Sequence, residues 1–365
     1  MNIIINCSQP ASQPASQPAS QPASQPASQP ANFEWINVIR GIVIILMLVG
    51  HSGPPTSIMT FIYGFHMPFF FILSGYLFNF AKWEKLGLKN LIISKFKAYL
   101  IPYFFLCFIN LMINFPIDLH SVGKSEIINC TIWRIIWIFY SMGNTASMPN
   151  CSPLWFLPCL FIAIIYLFAL LKVNNCLKIV LLVCGIALNM VLNFFNIPQL
   201  PWHFEVACVG TFFMHLGYLI HKKDVLNKDF SFITTSIVFL ISLYFIMCNG
   251  TISMDARVFN NIFLALPGAS LMSFLLLYCA HRFDLKNRFL SFLGKNTILI
   301  MAFNYAVNTY SGILWRRISF LSGYQYNWFL MSLVDVLICS IIILIWNRII
   351  VKYPKFAFTI GKVKN

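Results

Sequence analysis

Long apolar runs, separated by short polar or basic connectors, occupy most of this chain. A run of about 17 to 25 apolar residues is long enough to cross a bilayer as a helix. Ten such runs occur, at about residues 35 to 52, 58 to 80, 97 to 115, 154 to 171, 177 to 195, 203 to 220, 232 to 248, 258 to 280, 292 to 312 and 328 to 350. The pattern predicts an all-α, polytopic membrane protein of about ten transmembrane helices. The apolar segment from 132 to 142 (IWRIIWIFYSM) is too short to cross. With Arg134 between two tryptophans it predicts a helix lying in the membrane interface.

The N-terminal stretch breaks this pattern. Residues 8 to 31 are six tandem copies of Ser-Gln-Pro-Ala, uncharged and with a proline at every fourth position, so they neither pack a core nor hold a helix. The chain therefore divides into a disordered tail over 1–32 and an integral-membrane domain over 33–360. A four-nucleotide unit in tandem returns to frame every twelve nucleotides and encodes a four-residue repeat. CAGC repeated reads Gln-Pro-Ala-Ser, so roughly eighteen such units account for the tail. Gain or loss of one unit by slipped pairing shifts the frame, which predicts phase variation; an inert linker with ordinary codons is the plain alternative.

Composition and charge narrow the class. Of 365 residues, 59% are hydrophobic and only 10% charged, against about 25% charged in soluble chains. The net charge of +15 points to no nucleic-acid partner, because no RNA- or DNA-binding motif accompanies it. Sorting the 25 Lys and Arg residues by connector explains the excess: with the N-terminus cytoplasmic, nineteen fall on the inner side and five on the outer. Both termini are thus expected in the cytoplasm. Most cysteines sit inside spans and read as small apolar side chains. Cys130 and Cys151 share the longest outer connector and are candidates to pair; no metal-ligand spacing is present.

Ionisable groups within spans are the main chemical clue, since burying them is costly unless they are paired or functional. Arg40 and His51 are eleven residues apart on the first span. At 100° per residue they project within about 20° of one another, separated by roughly 16 Å along the axis. A permanent cation at one end of a cleft and an imidazole at the other suit a long anionic donor and an acid-base group at its reactive tip. Snorkelling by Arg40 and helix capping by His51 explain the same spacing. In the second span, His66 lies beside Pro68, where a broken backbone ladder is expected. Lys95 and Lys97 precede Pro102 and Tyr103, where they either meet phosphates or anchor the span.

These segments resemble the acyltransferase 3 family of integral-membrane acyltransferases, which includes sugar and polysaccharide O-acetylases. The resemblance is carried by Arg40 and His51 at the family spacing, by FHMPFFFILSGYLF from Phe65 to Phe78, and by the basic stretch ending Ile101-Pro102-Tyr103. It continues through Pro153-Leu-Trp155, Pro201-Trp-His203-Phe-Glu205 and Gly294-Lys295-Asn296, where it is most similar to the fucose 4-O-acetylase-like branch. It implies that activity depends on Arg40 and His51 and that acyl-CoA, usually acetyl-CoA, is the donor. Lysines replace the more usual arginines at 95 and 97, Asn304 stands where a histidine is common, and Glu205 replaces an aspartate. Glu205 orients a histidine, binds sugar hydroxyls or sits wet at the interface; His203 and His215 read as structural or interfacial.

The resulting expectation is an O-acyltransferase of the bacterial inner membrane. It moves an acetyl group from acetyl-CoA, as co-substrate and with no bound cofactor, to a hydroxyl of a surface glycan or lipid-linked sugar such as lipopolysaccharide. His51 and Arg40 are the candidate catalytic pair, and His66, Lys95, Lys97, Trp155 and Glu205 the candidate substrate contacts. The connector from 116 to 153 is a candidate acceptor lid. A transporter or flippase for a glycan intermediate, with Arg40, His66 and Asp335 lining its path, is the rival reading.

Overall fold

The computed structural model describes residues 34–144, 147–148, 151–322 and 326–361, so the repeat at 8 to 31 lies outside the described residues. Among them the chain is helical throughout, with one isolated antiparallel bridge between Ser253 and Val258. Nine helical segments are long and apolar enough to cross a membrane. Arg288–Lys295 and Thr297–Ser319, bent by 84° at their junction, make a tenth when the pair is counted as one broken span. The apolar run from 292 to 312 therefore starts on a separate short helix rather than as a straight span.

The first span is α1, Glu34–His51. The second is broken into α2, Thr56–Tyr63, and α3, His66–Tyr76, by a turn at Gly64 and Phe65. Pro68 lies in the first turn of α3, where its missing N–H costs no helical bond, so the break precedes the proline. Two short helices follow at the Arg40 end, α4 (Phe80–Leu86) and α5 (Leu88–Lys95). A five-residue π turn, Phe96–Leu100, then leads into α6, Ile101–Tyr140.

The forty residues of α6 are not one rod. Gly123 takes φ 78° and ψ 175°, outside the helical region, and the chain doubles back there. Tyr103 O–H donates to the carbonyl of Ile138 at 2.6 Å, thirty-five residues away. Arg134 pairs with Asp118 across the same hairpin at 3.0 Å. The segment 132 to 142, expected to lie in the interface, is instead the returning arm of this hairpin. A charge pair and a buried tyrosine bond hold it, and neither shows in a hydropathy window.

The remaining spans are α7 (Phe156–Lys172), α8 (Asn175–Phe194), α9 (Phe204–Lys222), α10 (Phe232–Asn249) and α11 (Ile262–Arg282). They are followed by α12 (Arg288–Lys295), α13 (Thr297–Ser322) and α14 (Trp328–Lys352). Asparagine starts many of them: Asn79, Asn174, Asn261, Asn287 and Asn327 each accept a backbone N–H of the following turn. These caps satisfy donors that lipid would leave bare. The least buried helices, α8 and α10, expose Ile179, Val183, Phe232, Ile233 and Leu240, the surface expected to face acyl chains.

Glycines set the closest helix contacts. A Cβ on Gly41 would strike the Leu290 carbonyl and one on Gly294 the Asn37 carbonyl, so α1 and α12 pack backbone to backbone. Gly75 and Gly217 do the same for α3 and α9, against Met214 and Ile72. Small residues permit this approach in membranes, where no hydrophobic force drives helices together. Gly217→Val should force α9 from α3 at a cost of about 3 kcal/mol, read as a lower melting temperature of the purified protein. Unchanged melting would contradict this contact.

Candidate active site

The broken second span and the two ends of α1 enclose the polar groups. At the His51 end, the imidazole Nδ1 lies 3.1 Å from Tyr63 Oη, and Tyr63 O–H also reaches the Gly50 carbonyl at 3.3 Å. The Tyr305 ring meets the imidazole edge-on, with centroids 4.9 Å apart. His66 stacks beside Tyr63 at 5.0 Å, and its Nδ1 is bound to the Ile62 carbonyl at 3.1 Å. That carbonyl lies at the break, where it also accepts the Phe65 N–H at 3.3 Å. A small cavity of about 60 Å³ joins His51, His66, Tyr63, Tyr305, Trp155 and Asp255.

Tyr63 has one proton to give. When it donates to Gly50, it accepts from His51 Nδ1–H, which leaves Nε2 as the unprotonated nitrogen. This assignment rests on heavy-atom positions. In that tautomer Nε2 carries no hydrogen and can accept one.

At the other end of α1, a second cavity of about 180 Å³ is lined by Arg40, Lys95, Trp83, Tyr99, Ser74 and Thr297. Arg40 Nη2 donates to Thr297 Oγ1 at 3.1 Å, and no carboxylate pairs with it among the described residues. Lys95 lies over Trp83 and Tyr99, 5.4 and 5.7 Å from their ring centroids. Met301, on α13, lines both cavities. The arginine and histidine of one helix thus open into two chambers that share a wall.

Other expected residues divide differently. Lys97 is exposed and does not line the second cavity; Lys95 at the end of α5 and Tyr99 in the π turn occupy its wall. Trp155 is buried at the His51 cavity and packs on His203, with centroids 4.8 Å apart. Glu205 is fully buried behind that cavity rather than on it. It pairs with Arg257 at 3.6 Å and accepts the Leu200 N–H at 3.3 Å. Arg257 in turn donates to the Ile197 carbonyl at 2.7 Å. Glu205 therefore fastens the connector holding Asp255 to the segment before α9. Trp202 and His203 both take left-handed φ values, 59° and 52°, which turns the His203 ring onto Trp155. His215 stacks on Tyr218, 6.5 Å between centroids.

Ser152 and Pro153 also line the His51 cavity, so the end of the 116 to 153 connector reaches the site; its residues 145–146 and 149–150 lie outside the described residues. Cys130 and Cys151 carry free thiols, so the expected pairing is not formed. Asp335, which has no evident partner in the sequence, receives Asn308 Nδ2 at 3.0 Å and Ser52 Oγ at 3.3 Å. Asn308 also reaches the His51 carbonyl at 3.4 Å, and Tyr326 O–H holds the Ser52 carbonyl at 2.6 Å. Asp335 is a positioning residue for the last turn of α1.

The family model for an acyltransferase domain, of the acyltransferase 3 type, matches residues 33–354. The chain belongs to this family. No curated protein and no solved structure matches it. With its many apolar helices, it is a multi-pass membrane acyltransferase. Sequence reasoning missed Tyr63, Tyr305, Asp255 and Thr297, which reach the two chambers across spans. Tyr63, three residues before His66, and Thr297, next to Gly294-Lys295-Asn296, carry a signal in the sequence.

Asp335→Ala in this acyltransferase should lower kcat about tenfold through loss of the clamp on His51, with little change in the donor KM. Its stability should drop by about 1 to 3 kcal/mol, the cost of removing the buried acceptor shared by Asn308 and Ser52, which keep only their bonds to the His51 and Leu48 carbonyls. A donor KM that rises with kcat unchanged would contradict the positioning role.

Proposed function

We propose that the protein transfers an acetyl group from acetyl-CoA to a hydroxyl of a surface glycan or lipid-linked sugar, such as lipopolysaccharide, in the bacterial inner membrane. The observation that carries this reading is the pair of chambers at the two ends of α1. One presents two cations, Arg40 and Lys95, with no carboxylate partner among the described residues, suited to the phosphates of a nucleotide donor. The other presents His51, with Tyr63 on Nδ1, to a second substrate. The roughly 16 Å between them along the helix is bridged by the extended pantetheine arm of the donor. Placing the Arg40 chamber in the cytoplasm follows the distribution of Lys and Arg along the sequence.

In this mechanism His51 Nε2 takes the proton of the acceptor hydroxyl as its oxygen attacks the thioester carbonyl. The tetrahedral intermediate collapses with cleavage of the C–S bond, and the leaving CoA thiolate takes the proton from the imidazolium. Products are the acetyl ester and free CoA. His66, Trp155 and Asp255 line the acceptor side, where aromatic and polar groups suit a sugar. Tyr63→Phe removes the partner of Nδ1 and should cost about tenfold in kcat. An unchanged rate would contradict the tautomer assigned to His51.

The same reading makes production of the enzyme phase-variable through the tetranucleotide repeat behind Ser-Gln-Pro-Ala. Sequencing single colonies that differ in acetylation should show changes in unit number that shift the frame. Identical repeat lengths, or mixed codons other than CAGC units, would contradict the switch. The transfer itself is tested by mass spectrometry of the surface glycan with and without the gene, which should differ by acetyl groups.

A further inference from the structure

A third cavity, of about 460 Å³, opens at the Arg40 end of the bundle and shares no lining residue with the two chambers of the proposed reaction. Its walls come from α12, the last turns of α14 and the first turn of α1. Arg288, Ser291 and Lys295 are spaced i, i+3 and i+7 on α12 and so share one helix face, and Asn296 and Asn347 add amides. Phe292, Ile350 and Val351 supply an apolar side. Arg288 and Lys295 are both exposed, and neither has a carboxylate within ion-pair distance among the described residues. Glu34 also lines the cavity, so the lining keeps a net charge of one positive.

Depth in the membrane points to the occupant. The cavity is walled by the first turn of α1 and the last turns of α14, and the ends of spans lie at the level of headgroups. The apolar side of the cavity continues onto bare α14 surface, where Val351 is 81% exposed and Leu344, about 20° from it around the helix, 54%. A soluble phosphate compound would use the cations and leave that surface uncovered. A phospholipid covers both, since basic pockets between transmembrane helices capture acidic headgroups. We propose that this cavity binds the headgroup of an anionic phospholipid, with its phosphate between Arg288 and Lys295 and its acyl chains along Ile350, Val351 and Leu344.

The site is joined to the helix that carries Arg40 and His51. Leu290 and Gly294 pack backbone to backbone on Gly41 and Asn37 of α1. Asn296 leads directly into Thr297, whose hydroxyl takes the Arg40 hydrogen bond. A bound lipid therefore braces α12 against α1. The inference concerns binding and stands independently of which acyl donor or acceptor is used.

The test is native mass spectrometry of the full chain released from nanodiscs of equal phosphatidylglycerol and phosphatidylcholine. Retention of phosphatidylglycerol over phosphatidylcholine is expected, weakened about tenfold in Arg288→Gln/Lys295→Gln because each cation near the surface contributes a few-fold. Lys85→Gln/Lys89→Gln, which removes two exposed lysines elsewhere, should retain lipid like the wild type. Equal retention of the two lipids, or unaltered retention in the Arg288 and Lys295 variant, overturns the proposal. Displacement of the retained lipid by millimolar glycerol phosphate also overturns it, because the site then selects a soluble phosphate.

Discussion

His51→Ala should lower acetyl transfer by about a thousandfold, within the range lost with a general base, while the protein still folds and inserts. The imidazole is at the end of α1, and its ring contacts are to Tyr63 and Tyr305 rather than to a close backbone packing surface. Removing it leaves the glycine contacts between α1 and α12 in place. His51→Gln, which fills the space without a titratable nitrogen, should be equally inactive. Residual activity within tenfold of the wild type in either variant would remove His51 from the chemistry. A parallel loss of protein from the membrane would make its role structural.

Arg40→Ala is expected to lower kcat/KM for acyl-CoA by about a hundredfold, mostly through the donor KM, because a charge-assisted contact to phosphate is lost. Arg40→Lys should recover only part of this, since an ammonium lacks the planar fork that engages two oxygens. Lys95→Ala should have a smaller effect of the same kind, and Lys97→Ala little, because Lys97 is outside the cavity. A loss confined to kcat would move Arg40 from donor binding to the developing oxyanion.

What the sequence discloses about this protein depends on the range of the interaction. Spans are local: a hydrophobic run either is or is not long enough, so the ends of α1, α7, α9 and α14 fall close to the apolar runs. The shared face of Arg40 and His51 is also local, because one helix fixes both. The returning arm of α6 was misplaced because Tyr103 and Arg134 act across the hairpin turn at Gly123. The break between Lys295 and Thr297 falls in the short polar stretch Gly294-Lys295-Asn296-Thr297, which a span-length hydropathy window averages into the apolar residues around it.

The site shows the same limit. Tyr63, Tyr305 and Asp255 come from three separate parts of the chain and meet only in the folded bundle. Asp335 had no partner within its own span and gains Ser52 and Asn308 from two others. Glu205, in the first turn of α9, reads from the sequence as a candidate for substrate contact. Its pairing with Arg257, about fifty residues later, shows it fastening the wall of the cavity.

The most direct measurement of the central claim is CoA release by the purified wild-type protein in proteoliposomes, supplied with acetyl-CoA and the glycan or lipid-linked sugar of its own membrane. Free CoA should appear in step with acetylated acceptor and require His51. No CoA release while the vesicles carry the glycan across the bilayer would contradict acyl transfer and make this bundle a transporter.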